Sequence, residues 1–290
     1  MATSESRAPG GRRRGHEASD GALPRQVKAA QSLGRGTVRP YSDGMTMLDE
    51  ARTGTDDATV AQAREDLAAA FRIAAAHGLN EGIDNHLSLA VPGRDDLFLL
   101  NRYGPHWSEI MADDILTLDF DGNVVEGEGQ WETTAFMIHR SCHRARPDAR
   151  AVFHTHQPYA TAVALTVDGL DTRISQNAMY FHGVTARLDY GGLADGAEEG
   201  ERIAGSVRDG ASVVMLDNHG VLVIGRDVAH AWHQLYFLEQ AARVQVLAQS
   251  TGRELVRVPE DVAERTRAQW LADVGAAEAT FAAEKRLLGL

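Results

Sequence analysis

The sequence predicts one α/β domain whose sheet is antiparallel or mixed, and three observations carry that expectation. Helical runs with apolar residues every three or four positions alternate with short runs rich in Val, Ile, Leu and Phe. Two of the β-type stretches are folded on themselves at tight turns, Asp121-Gly122 and His219-Gly220. Hairpins of this kind join antiparallel neighbours, whereas parallel strands need long crossovers.

The elements follow in order. "TDDATVAQAREDLAAAFRIAAAHGLNEG" offers Asp56 or Asp57 as N-cap, sets Leu67, Phe71 and Ala74 at helical spacing, and stops at Gly78. The runs 86–91 ("HLSLAV"), 97–100 ("LFLL") and 115–125 ("ILTLDFDGNVV") read as strands, the last a hairpin. A helix over 133–145 ("TTAFMIHRSCHRA") ends before Pro147, and a strand, "ARAVFHT", follows. Pro158 suits the first turn of the next helix, where a missing N–H costs nothing. "ASVVMLDNHGVLVIG" (211–225) reads strand, turn, strand, and Asp227 caps a long helix over 227–249. Beyond Gly252 the chain is polar, with one terminal helix expected from about residue 260. The expected organisation is a basic tail (1–55), one domain (56–250) and a helical extension (251–290).

Composition narrows the function classes. No run approaches the ~18 apolar residues of a membrane span. The single cysteine, Cys142, cannot form an internal disulfide, so nothing requires an oxidising compartment and a cytoplasmic location is expected. The net charge of −12 hides an asymmetry: residues 1–40 hold eight Lys/Arg against Glu5, Glu17 and Asp20. The remaining 21 basic and 38 acidic residues leave the body at −17, which repels nucleic acid and argues against a nucleic-acid partner. The tail, rich in Gly, Arg, Ser and Ala, reads as disordered. No apolar stretch follows its "GRRRG", so a secretory signal is not expected.

Chemistry concentrates in "VFHTHQPYATAVAL" (152–165). Residues i and i+2 of an extended segment share a face, so His154 and His156 can converge on one ion. Alone, such a pair is as well read as a strand end that carries histidines. His219 changes the balance, because it ends another apolar strand in a turn pinned by Gly220. Two imidazoles and a distant third would leave an open divalent-metal site.

"ARPDARAVFHTHQPYATAVAL" followed by "LDNHGVLVIGRDVAHAWHQLYFLEQAA" resembles the class II aldolase/adducin family over about residues 60–250. The resemblance implies a three-layer αβα sandwich around a mainly antiparallel sheet, and a cyclic homotetramer with active sites at subunit interfaces. It implies His154, His156 and His219 as ligands of one catalytic divalent metal per subunit, with Zn2+, Mn2+ and Fe2+ all compatible with three imidazoles. It also aligns "DNHLS" with the family's anion-binding G-N-x-S loop, placing Asn85 at the substrate. Tyr103 and Gly104 stand where aldolases carry Thr-Gly, and Thr133 and Thr134 where they carry Ser-Ser. Plain N-capping is the competing reading of the two threonines.

The pattern breaks at one position. Sugar-phosphate aldolases follow Ser-Ser with a glutamate that acts as acid/base, where this chain has Ala135. Losing a positioned proton shuttle is typically worth ~10²–10⁴ in rate, which argues against a sugar-phosphate aldolase. Glu132 and Glu109 are the substitute carboxylates, although Glu132 could equally cap the helix, and Tyr103 is a third catalytic candidate. Alanine here resembles the adducin-like branch, which includes decarboxylases of hydroxylated aromatic acids and non-haem Fe(II) oxygenases that decarboxylate oxidatively. Arg102, Tyr103, His106 and Trp107 in one loop, and Tyr180, Phe181 and His182 in another, would line an aromatic pocket suited to a small carboxylic acid. Trp107 and Phe181 as core residues is the competing reading. His139 and His143 read as packing or interface residues, and Trp270 marks the segment from which a neighbouring subunit could complete the site.

The expected function is therefore metal-dependent C–C cleavage of a hydroxy, keto or hydroxyaryl carboxylic acid by a decarboxylase or aldolase-type lyase. The alternatives are an Fe(II) oxygenase of secondary metabolism and a non-catalytic adducin-like protein.

Overall fold

A computed structural model describes residues 57–194 and 196–290; the tail expected over 1–55 lies outside the described residues. Eight strands form one sheet: β1 (His86–Ala90), β2 (Leu97–Asn101), β3 (Ile115–Asp119), β4 (Val124–Glu126), β5 (Ala151–Thr155), β6 (Thr185–Leu188), β7 (Val213–Leu216) and β8 (Gly220–Gly225). Their spatial order is β4-β3-β2-β1-β5-β8-β7-β6. Every pairing is antiparallel except β6 with β7, so the expected antiparallel sheet is present with one parallel edge.

Strand alternation sorts the core into two layers. Leu87, Leu89, Ala151, Phe153, Val221 and Val223 face α1 (Asp57–Ala76), α3 (Pro158–Ala164) and α6 (Val228–Gln249). Val152, Val214, Leu222 and Ile224 face the opposite way, against α2 (Thr133–Ala145) and α5 (Ala197–Arg208). The result is the expected three-layer sandwich. Because β1 and β5 are central, the residues between those apolar positions are enclosed too. His86, Ser88 and His154 therefore lie on the α2 face as buried polar groups.

Most elements match the sequence pattern, and α2 runs over 133–145 as expected. β6 and α5 carried no expectation. β6 is a half-exposed edge strand of four residues, and α5 contains Gly200 and Gly205, which weaken helix propensity. Gly200 has a packing reason: a Cβ there would stand 2.6 Å from the Met137 carbonyl of α2. The C-terminal segment forms two helices, α7 (Glu260–Ala272) and α8 (Ala276–Leu288), rather than one. Both dock on the sandwich. Phe281 enters the core with α1 and α6, and Trp270 stacks on Tyr180 with ring centroids 5.1 Å apart. The remaining short helix, α4 (Gln176–Met179), leads into Tyr180.

Trp107 and Phe181 do not form the expected aromatic pocket wall. Trp107 is wholly buried and packs edge-on against Phe71 at 4.7 Å, and Phe181 is equally buried. These rings are large apolar surface inside the domain, not lining for a ligand. Among the described residues no helix is long and apolar enough to cross a membrane.

Candidate metal centre

β5 carries His154 to the rim of the sheet, and the chain stays extended long enough to present His156 on the same face before Pro158 starts α3. The turn between β7 and β8 brings His219 alongside. Asn218 adopts φ 59°, a left-handed value that asparagine tolerates. Gly220 is required by proximity, because a Cβ there would stand 2.6 Å from both the Thr155 carbonyl and His156 Cδ2. Gly220→Ala should therefore cost about 1–3 kcal/mol through forced displacement. An unchanged denaturation midpoint in that variant would contradict the crowding.

The three imidazoles offer nitrogens that all lie within 4.8 Å of one another. Ring centroids are 5.0 Å apart for His154 and His156, and 4.8 Å for each of these with His219. Hydrogen bonds select which nitrogen is bare. His154 Nδ1–H donates to the Val221 carbonyl at 3.0 Å, leaving Nε2 as a lone pair. His156 Nδ1–H donates to the Glu81 carboxylate, which likewise leaves Nε2 bare. The two Nε2 atoms stand 3.2 Å apart. Two lone pairs at that distance repel unless a cation lies between them. The spacing also suits two nitrogens on one tetrahedral ion with bonds of ~2.0–2.1 Å. Burial holds His154 well below the usual imidazole range and lowers His219 to about 4, so neither carries a competing proton at neutral pH. The donor set fits a divalent metal.

Around the triad the scaffold is pinned at several points. Asn85, itself at φ 72°, accepts the His156 backbone N–H on its Oδ1 at 3.1 Å. Glu239 of α6 accepts the N–H groups of Tyr159 and Ala160 at 2.9 Å each, capping α3 directly after His154 and His156. Glu81→Ala removes the partner of His156 and should weaken zinc binding about 10–100-fold. Competition titration against a chromophoric chelator reads that change directly, and unaltered affinity would deny Glu81 its orienting role.

The other sequence-predicted residues fall into two local groups, one at the start of α2 and one around the turn Trp107–Glu109. Glu132 sits in the first turn as the N-cap of α2, its carboxylate accepting Thr134 N–H at 3.0 Å, Ala135 N–H at 2.7 Å and the Thr134 hydroxyl. Burial alone would raise its pKa, but these bonds and the nearby His86 bring it below the ordinary value. It is a held carboxylate, not a group poised to carry a proton. Thr133 begins the helix in an exposed position, and Ala135 packs with Phe98, Leu116 and Phe136. His106 and Glu109 form a reciprocal capping box on the short 3-10 turn Trp107–Glu109. His106 Nε2 also meets Asn80 Nδ2 at 3.1 Å. Tyr103 is half exposed beside Gly104 at φ 121°, its N–H bonded to the Gln130 carbonyl.

Two features escaped sequence reasoning. Glu81 lies in a loop with no local pattern to betray it. His86, His139 and His143 are buried together with Ser88, so His139 and His143 pack inside the domain, but their link to His86 does not follow from the sequence. Their spacing of four on α2 was the available signal, and the strand facing them is what gives it meaning.

Residues 65–246 match the Class II Aldolase and Adducin N-terminal domain. The chain belongs to the class II aldolase/adducin family. It is 38% identical over 210 residues to a Caulobacter vibrioides protein described as aldolase class 2, covering 72% of this chain and 81% of that one. It is 31% identical over 192 residues to the decarboxylase NovR of Streptomyces niveus, covering 65% and 70%. An aldolase II superfamily protein from Pseudomonas syringae has the same fold with a TM-score of 0.74 at 36% identity, over 79% of this chain and 93% of that one. The class II aldolase resemblance read from the motifs, and the fold it implied, are thus both correct.

Proposed function

We propose that this protein is a divalent-metal-dependent lyase that cleaves a C–C bond of a hydroxy, keto or hydroxyaryl carboxylic acid, with decarboxylation as the favoured reaction. The observation that carries the reading is the pair of bare Nε2 atoms of His154 and His156, 3.2 Å apart and joined by His219. A bound divalent ion supplies Lewis acidity to the substrate oxygens, stabilising negative charge left on the substrate as the bond breaks. The residues' own work is positional. Val221 and Glu81 aim two imidazoles, and Asn85 and Glu239 hold the segment that carries them.

Ala135 and the capped Glu132 favour decarboxylation over sugar-phosphate cleavage. Loss of CO2 needs no base to remove a hydroxyl proton before the C–C bond breaks, whereas aldol cleavage does. The likeness to a decarboxylase supports the same choice. Tyr103, Gly104, His106, Asn85, Thr133 and Thr134 remain the proposed substrate-side residues, and a homotetramer with interfacial sites the proposed assembly.

Metal analysis of protein purified anaerobically, followed by CO2 release from hydroxyaryl acids with O2 uptake monitored, tests the reading. Zinc or manganese with CO2 release and no oxygen consumption is the expected result. Iron with stoichiometric oxygen consumption would replace it with oxidative decarboxylation. A protein that takes up no metal after reconstitution would end the enzyme reading.

A further inference from the structure

The sheet and α2 enclose a line of polar side chains that begins beside the metal ligands and runs into the protein. His143 Nδ1 lies 3.0 Å from the Ala149 carbonyl, which can only accept, so Nδ1 carries the proton and Nε2 is bare. That Nε2 needs a donor, and Ser88 Oγ stands 2.8 Å away. The alternative acceptor for the serine proton, the Val152 carbonyl, is 3.5 Å off and too long to compete. With its proton given to His143, Ser88 Oγ accepts from His139 Nδ1–H at close range. His139 Nε2 is then an acceptor, filled by His86 Nδ1–H at 2.7 Å. Each proton position follows from the one before it, and the line ends on a bare His86 Nε2.

The His86 ring lies beside the proposed centre. His86 pairs with His154 across β1 and β5, and their rings lie 4.9 Å apart. Glu132, His156 and His219 are all close enough to act electrostatically on the same ring. His86 Nε2 has no hydrogen-bond partner among the described residues, yet it is not sealed from solvent as Thr155 Oγ1 and Gln157 Oε1 are.

We infer that His86 is the hydrogen-bond acceptor of this site, its bare Nε2 fixed by the line through His139, Ser88 and His143, and that it selects ligands with a hydroxyl beside their metal-binding oxygens. A bare imidazole nitrogen accepts a hydroxyl proton and gives nothing to an ether oxygen. The selection rests on the metal-dependent reading above; the arrangement of protons does not. His139 and His143 are positioning residues that act through His86.

Solid-state 15N NMR of histidine-labelled, metal-free protein at neutral pH reads the tautomers directly. His86, His139 and His143 should all be neutral with the proton on Nδ1. A proton on His139 Nε2, donated toward the His86 carbonyl, would reverse the line and overturn the inference. So would an Nε2–H form of His86, or an Nε2 signal that shifts as a ligand on adding zinc. With zinc-loaded protein, the preference for salicylate over 2-methoxybenzoate should fall about tenfold in His86→Phe and survive in His86→Gln, whose amide oxygen keeps an acceptor. An undiminished preference in His86→Phe overturns the selection. Failure of the wild-type chain to bind zinc ends the metal reading and the selection with it, and leaves the tautomer result standing.

Discussion

Replacing His154 with alanine should take zinc from near one equivalent per chain to near none, and turnover to background. Of the three imidazoles of the proposed centre it is the most enclosed, and its Nδ1 is already committed to the Val221 carbonyl, which leaves Nε2 as its one nitrogen for a metal. His156 and His219 alone would leave a two-nitrogen site on a half-exposed rim, short of the three protein ligands that catalytic zinc ordinarily takes. The fold should survive, because the β5 ladder to β1 and β8 is made by backbone groups that the substitution leaves intact. Metal analysis beside far-UV circular dichroism separates loss of the ion from loss of the domain. A folded His154→Ala protein with full turnover would sink the lyase assignment.

How far the site was legible in the sequence follows from how local each signal is. His154 and His156 share a face because strand geometry has period two, and that could be read from four residues. His219 was legible because His-Gly between two apolar strands is itself a turn signature. Glu81 was not, since its contact with His156 spans 75 positions and depends on where the loop before β1 folds back. The line from His86 to His143 was half visible. The i, i+4 pair on α2 is a local pattern, but whether it faces solvent, a partner or a strand is decided by the sheet order, which places β1 beside β5 under that helix. Trp107 shows the opposite error. Its neighbours Arg102, Tyr103 and His106 are polar and suggest a binding loop, while its own ring is drawn inward by Phe71 of α1.

Acid should unfold the metal-free protein earlier than its carboxylates alone would require. Burial lowers His143 to about 4 and His230 to about 3, against about 6.5 in an unfolded chain. Between those values the unfolded state binds protons that the folded state refuses, so stability rises with pH across the window and falls as pH drops through it. The contribution is fully present above pH ~6.5. At pH 5 each group has given up about 2 kcal/mol as an upper figure, or about 4 kcal/mol for the pair. The carboxylates with lowered values, Asp119, Glu132 and Glu278 among them, act in the same direction but only below their unfolded values of 3.8 to 4.5. The interval from pH 6.5 to 5 therefore belongs to the buried histidines. Unfolding free energies from urea titrations at pH 7 and pH 5 should differ in that direction, and His230→Phe, if it folds, should narrow the gap by up to about 2 kcal/mol. Equal free energies at the two pH values would mean that these imidazoles take up protons in the folded protein.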